Sequence, residues 1–247
     1  MSAEAIPFLV LGAFAGGFIN GLAGTGTALF ALGFYLVVLD PIRSVAIVAF
    51  MSVLVGLQGL WIVRKEIKAQ PQRLLRFVIP GLLGVPVGLA LLDAIDATTL
   101  RIAVAALLIV YGFYFSLRAS LPAFSGRTPW IDSTVGFVGG VLGGAAAVSG
   151  AIPQMWLSIR PWTKSETRAV LQPFNIAILS TTISLLFFQG AYNTTALNAL
   201  MITVPTGLIA AQIGITVFRR LSDTGFRRVL IILTLMMGLG VMASEVL

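Results

Sequence analysis

The chain has no cysteine and no histidine among its 247 residues, and only 10% of them are charged. Without cysteine, disulfides and thiolate metal sites are excluded. Without histidine, the usual proton shuttle and the commonest metal ligand are missing too. The scarcity of charge says more. A soluble domain carries about a quarter charged residues, whereas this chain is 58% hydrophobic with a mean hydropathy of +1.00. No buried core needs so little charge. Apolar side chains must cover the outside as well, and the solvent there is lipid. A soluble enzyme, a secreted disulfide scaffold and a disordered chain are thereby excluded.

The charge that is present is lopsided, with 16 Lys+Arg against 9 Asp+Glu. On a soluble protein a net charge of +7 would raise the question of nucleic acid. Here the basic residues sit in short loops between apolar runs, which is the positive-inside bias of a membrane protein. No nucleic-acid partner is expected. The start, Met1-Ser2-Ala3-Glu4, lacks the positive region of a signal peptide, so the first apolar segment is expected to stay in the mature protein.

Eight hydrophobic segments are bounded by charge or proline: 6–39, 44–63, 74–92, 100–118, 133–159, 169–188, 197–218 and 228–246. Six suit one crossing of about 20 residues. The first would be about 51 Å long as one helix, and the fifth about 40 Å. Half of the chain's 26 glycines fall in these two segments. Glycine permits a sharply turned backbone, so each is read as two half-helices, broken near Gly24–Thr27 and near Val148–Ala151.

The loops suggest how the chain is threaded. Basic residues cluster at Arg64–Arg76, at Arg118 and Arg127, at Arg160–Arg168 and at Arg219–Arg228, while 189–198 carries no charge. Placing the basic loops in the cytoplasm makes the fifth segment enter and leave on one side. The same logic makes the first segment re-entrant. The two halves also echo one another. Gly12 matches Gly136, Gly16 matches Gly140, Thr25 matches Ser149 and Gly26 matches Gly150 at an offset of 124. Arg43 matches Arg168 and Pro80 matches Pro205 at 125, and Gly88 matches Gly214 at 126. One hairpin and three crossings per half make an odd count, which turns the second half upside down. The expected fold is all-α and integral to the membrane. Its eight segments form two inverted repeats, 1–122 and 123–247, in one membrane domain, with the first and fifth segments broken or re-entrant.

Polar groups inside a membrane are costly and usually functional. All nine acids fall in loops or at segment ends, so neither a carboxylate proton relay nor a cation site is expected. An anion site remains. A half-helix that starts in mid-membrane points free N–H groups and its positive dipole end at a ligand. The breaks supply Gly24, Thr25, Gly26 and Thr27 in one half, and Ser149 and Gly150 in the other. Asn20, Gln154, Gln172 and Asn175 add uncharged amide donors. The competing account is close packing through small residues and interhelical hydrogen bonds. That account suits Gly12/Gly16, Gly84/Gly88 and Gly136/Gly140. Arg43 and Arg168 begin the second and sixth segments, where they either gather anions at the two pathway mouths or snorkel as end anchors. Trp61, Trp130, Trp156 and Trp162 lie near segment ends and read mostly as interface belts.

These residues also carry a resemblance. The broken stretch from Gly16-Gly17-Phe18-Ile19-Asn20-Gly21 through Gly24-Thr25-Gly26 recurs from Gly139-Gly140 through Ser149-Gly150 to Pro153. A short loop then leads to Arg43-Ser44-Val45-Ala46 in one half and to Arg168-Ala169-Val170-Leu171 in the other, and Pro80-Gly81 with Gly84 follows. The pattern resembles the TauE/SafE family of sulfite and organosulfonate exporters over essentially the whole chain. The resemblance implies a multi-pass permease of the bacterial cell inner membrane that moves sulfite or other small anions. In one departure, Thr25 and Thr27 interrupt the glycines of the first break, and Leu29 stands where the second half has Pro153.

The function expected from the residues is alternating-access transport of a small anion around a mid-membrane site. An anion channel is the alternative, and an intramembrane enzyme is disfavoured because Ser149 has no base beside it. The partners expected are the anionic substrate and the lipid bilayer. No cofactor or metal is expected, and the sequence permits homo-oligomerisation.

Overall fold

The computed structural model describes residues 4–94, 97–117 and 124–246. Arg118 and the boundary between 122 and 123 lie outside the described residues. Among the described residues the chain forms helices and no strands. In order they are α1 (Ala5–Ala23), α2 (Thr27–Leu36), α3 (Pro41–Ile62), α4 (Arg64–Ala69), α5 (Pro71–Ala94), α6 (Ala97–Ser116), α7 (Pro129–Ala146), α8 (Ala151–Ser158), α9 (Lys164–Phe188), α10 (Thr194–Arg220) and α11 (Asp223–Val246).

Helix starts follow local chemistry. The Asp40 carboxylate accepts the Arg43 amide at 3.0 Å with Pro41 next to it, where a missing N–H does no harm. Thr163 and Glu166 form a reciprocal capping box ahead of α9, and Asn193 caps α10. Pro173 lies inside α9 without ending it. Five described helices are long and apolar enough to cross a membrane: Ala5–Ala23, Ile42–Ile62, Pro71–Ala90, Lys164–Phe188 and Thr194–Arg220. The protein is a multi-pass membrane protein.

Both long glycine-rich segments are broken, and both fold back on themselves. Helix α1 ends at Gly24, whose φ of 86° is left-handed, and α2 starts after a second left-handed glycine, Gly26. Helix α2 then runs back along α1. A Cβ on Gly16 would press on Thr27 and Ala31, and one on Gly12 on Ala31, Phe34 and Tyr35. The second break spans residues 147–150, and its left-handed position is filled by Ala147. Helix α8 likewise returns along α7. Gly143 meets Ser149, Gly139 meets Ser149 and Pro153, and Trp156 Nε1 donates to Asp132 near the start of α7 at 2.8 Å. We call these hairpin 1 (α1–α2) and hairpin 2 (α7–α8).

The hairpins open toward opposite ends of the bundle. Hairpin 1 opens where Arg43 pairs with Asp40 at 2.8 Å and Tyr192 donates to the Ala46 carbonyl. Hairpin 2 opens at the basic end. There Arg73 pairs with Glu166 at 2.7 Å, Lys164 Nζ donates to the carbonyls of Phe218, Arg219 and Leu221, and Arg160 donates to that of Gly126. At this end Trp156 and Trp162 pack around the Arg160 guanidinium rather than standing free.

Each hairpin is gripped by a helix from the other half of the chain. Gly17 and Gly21 of α1 abut the backbone of Gly207 and Ala211 in α10, and Gly214 abuts the Phe18 carbonyl. Gly140 and Gly144 of α7 abut Gly81 and Val85 in α5, and Gly88 abuts the Val141 carbonyl. In packing, Gly17 thus corresponds to Gly140, one residue away from the sequence match of Gly16 with Gly140. After the breaks Gly26 and Gly150 stand together as helix N-caps. The register recovers because the second break is one residue longer.

Candidate functional site

The two breaks touch. A Cβ on Gly150 would collide with the Thr25 hydroxyl. Thr25 Oγ1 and Ser149 Oγ both donate to Asn175 Oδ1, at 3.4 and 2.7 Å. Neither half-helix that leaves this junction has a side-chain cap: Gly26 precedes α2 and Gly150 precedes α8. A helix start leaves four N–H groups without intrahelical partners. Here two such starts are buried beside one another in the bundle interior. Two positive dipole ends so placed favour negative charge between them.

Amides connect the junction to the surrounding helices. Asn20 Nδ2 donates to Thr27 Oγ1 at 2.7 Å and to Ser52 Oγ at 3.1 Å. Asn175 Nδ2 donates to the same Ser52 oxygen at 3.1 Å. Gln172 Nε2 donates to Asn20 Oδ1 at 3.1 Å, and Arg168 Nε donates to Gln172 Oε1 at 3.0 Å. All of these side chains are 2% exposed or less. The Gln172 tip and the Arg168 guanidinium lie in a slot that Gly24, Gly56 and Gly59 leave room for, with the Phe218 ring also against the guanidinium. A Cβ on Gly59 would strike both groups, and one on Gly24 or Gly56 would press on Gln172 at 3.0 Å.

The structure therefore gathers Asn20, Gly24, Thr25, Gly26, Thr27, Ser149, Gly150, Gln172 and Asn175 into one buried cluster. Gln154 is not part of it. Its amide donates to the Leu230 carbonyl at 3.0 Å and to Thr234 at 3.1 Å, tying α8 to α11. Arg43 and Arg168, paired by the sequence, occupy unlike places. Arg43 is partly exposed and salt-bridged at the end where hairpin 1 opens, whereas Arg168 is fully buried beside the amides. Sequence reasoning missed Ser52, which accepts from two of the amides. It also missed Gly56 and Gly59, which make room for the slot.

Among the described residues no group of His, Cys, Asp or Glu is placed to hold a metal ion, and no carboxylate hydrogen-bonds to the cluster. The cluster offers N–H and O–H donors, two helix dipoles and one guanidinium, which is the chemistry of an anion site. A separate basin of about 450 Å³ opens at the basic end, walled by Arg73, Arg76, Arg127 and Arg160 with Asp132 and Trp162.

The family model described as Sulfite exporter TauE/SafE matches residues 8–241. No match was found among curated proteins or among solved structures.

Proposed function

We propose, from the premise that this chain belongs to the TauE/SafE sulfite exporter family, that it carries sulfite or small organosulfonates across a bacterial inner membrane by alternating access around the junction of the two breaks. The family is one of membrane transporters and not of enzymes. The observation that carries the proposal is the contact of Thr25 with Gly150, which brings two uncapped, buried helix N-termini face to face.

The chemistry suits the cargo. A sulfur oxyanion presents several acceptor oxygens, and the junction presents backbone N–H groups, the hydroxyls of Thr25, Thr27 and Ser149, and the amides of Asn20, Gln172 and Asn175. Several separate hydrogen-bond donors hold an anion firmly enough to select it and weakly enough to release it.

The architecture suits alternating access. Hairpins that open to opposite ends, each gripped by a helix of the other half, support two inverted repeats, 1–122 and 123–247, able to rock against each other. Burial of the junction on every side supports a carrier that occludes its site over an open anion channel. The basic end is assigned to the cytoplasm, and a negative interior then drives anions outward.

The test is ligand-induced thermal stabilisation of the purified protein across sulfite, sulfonates, sulfate, carboxylates and cations. Only ligands that prefer the folded state raise the melting midpoint. The expected outcome is a shift confined to sulfur oxyanions and sulfonates and weakened by Ser149→Ala. Equal shifts with simple cations, or none with any anion, overturn the proposal.

A further inference from the structure

We infer that Arg168 is the counter-charge of the carried anion, and that its hydrogen bond to Gln172 is a latch which the arriving anion undoes. This assignment rests on the transport proposal and supplies two things that proposal lacks: the positive group of the site, and the route by which binding reaches hairpin 1.

Arg168 is the largest fully buried side chain among the described residues. Only Nε has a hydrogen-bond partner, Gln172. Nη1 and Nη2 are buried with none among the described residues, and neither salt bridge among those residues includes it. Its guanidinium carbon lies 4.5 Å from the Phe218 ring centroid, and an aromatic face is a weak substitute for a carboxylate once water is gone. A buried charge without a partner destabilises the protein that holds it. It is intelligible where a counter-ion comes and goes.

The geometry narrows the class of that ion. A guanidinium is a planar fork that matches two oxygens on one central atom. The side-on fork of Nε and the free Nη2 therefore suits a sulfite, sulfonate or similar oxyanion, and suits a halide poorly. Nη2 lies against Gly59, where a Cβ would come within 2.5 Å of it, so the fork is presented where a glycine leaves room for it beside the Phe218 ring.

The hydrogen bonds show what binding would change. Every donor points away from Arg168. Arg168 donates to Gln172, Gln172 to Asn20 on α1, and Asn20 to Thr27 on α2 and Ser52 on α3. This row fastens α9 to both arms of hairpin 1. An anion that grips the guanidinium side-on, through Nε and Nη2, displaces Gln172 Oε1 from Nε. Gln172 then turns toward another donor, Asn20 loses its partner on α9, and of the hydrogen bonds that tie hairpin 1 to that helix the long Thr25–Asn175 bond remains. Selection of the anion and loosening of the hairpin become one event.

The experiment uses the full chain in detergent, with sodium sulfite, sodium methanesulfonate and sodium chloride at matched ionic strength as probes. Melting midpoints are read for wild type, Arg168→Gln, Arg168→Lys and Ser149→Ala. Arg168→Gln is expected to weaken sulfite binding about 10- to 100-fold with little change in the ligand-free midpoint, because removal of an unpaired buried charge offsets loss of the bond to Gln172. Arg168→Lys keeps the charge and loses the fork, so it is expected to bind sulfite but to lose most of the wild-type preference over chloride. Wild-type affinity in Arg168→Gln together with weakened binding in Ser149→Ala overturns the role of Arg168 and leaves the transport proposal standing. If Arg168→Gln does not fold, an Arg168→Lys protein that keeps the full preference for sulfite overturns it equally. No anion response in wild type overturns both.

Discussion

Asn175 holds the two breaks to one point. Its single Oδ1 accepts from Ser149 and Thr25, and its Nδ2 donates to Ser52. Asn175→Asp has nearly the same shape and still accepts from both hydroxyls, but it places a negative charge at the junction. The expected outcome is loss of anion-induced stabilisation, read as a flat melting midpoint against sulfite. Full anion binding by this variant near neutral pH would move the site elsewhere. Asn175→Ala leaves buried hydroxyls unpartnered and is expected to lower stability by about 1–3 kcal/mol. Amides such as Asn20, Gln172 and Asn175 were legible in the sequence because an amide in an apolar run must find a polar partner, and the interhelical bonds they make here are what both the site reading and the packing reading require. Ser52 was not, because a lone hydroxyl can satisfy itself on its own helix's carbonyls. Arg168 read as a pathway mouth or an end anchor because it starts its apolar run. Its burial is set by α10, whose Phe218 covers it, and nothing local announces that neighbour.

At the scale of elements, glycine has two different duties here, and substitution separates them. Gly140 sits in α7 where a Cβ would drive into the Gly81 backbone of α5, while Gly33 in α2 has open space around it. Gly140→Ala must push two helices apart and is expected to lower stability by about 1–3 kcal/mol. Gly33→Ala is expected to leave it unchanged or raise it by up to about 1 kcal/mol, through helix propensity alone. Melting midpoints in one detergent check both. Equal losses would mean that the close approach of α5 and α7 does not hold hairpin 2. The positions of the breaks were legible to within a residue, since glycine density marks where a long apolar run must turn. Their lengths were not. In the second break Ala147 takes the left-handed position that Gly24 takes in the first, so residue identity gave no sign of the extra residue. That residue is why the sequence matched Gly16 to Gly140 when packing pairs Gly140 with Gly17. Gln154 misled for a related reason: an amide on a half-helix can face the junction or the helix behind it, and only the docking of α11 decides.

Across the whole molecule, the distribution of charge sets what can drive transport. The described acids sit in loops or near helix ends, and the chain has no histidine. Asp132 is buried, but near the start of α7, where it accepts from Trp156 and Thr128, and among the described residues no carboxylate hydrogen-bonds to the junction to carry a proton with the anion. The basic loops meet at one end, where Arg73 with Glu166 and Lys164 with the end of α10 join neighbouring helices. That is the end the loop charges marked as cytoplasmic. Moving one negative charge outward across 100 mV, interior negative, is favourable by about 2.3 kcal/mol, about fiftyfold in equilibrium distribution. Methanesulfonate is the cleaner probe, because it stays singly charged where sulfite changes protonation. In proteoliposomes, its flux is expected to follow an imposed potassium diffusion potential in sign and size, and to ignore a pH gradient applied at zero potential. Uptake driven by the pH gradient and blind to voltage would require a proton to travel with the anion. Methanesulfonate itself stays ionised, so that proton would have to ride on the protein, and transport driven by voltage alone would be overturned.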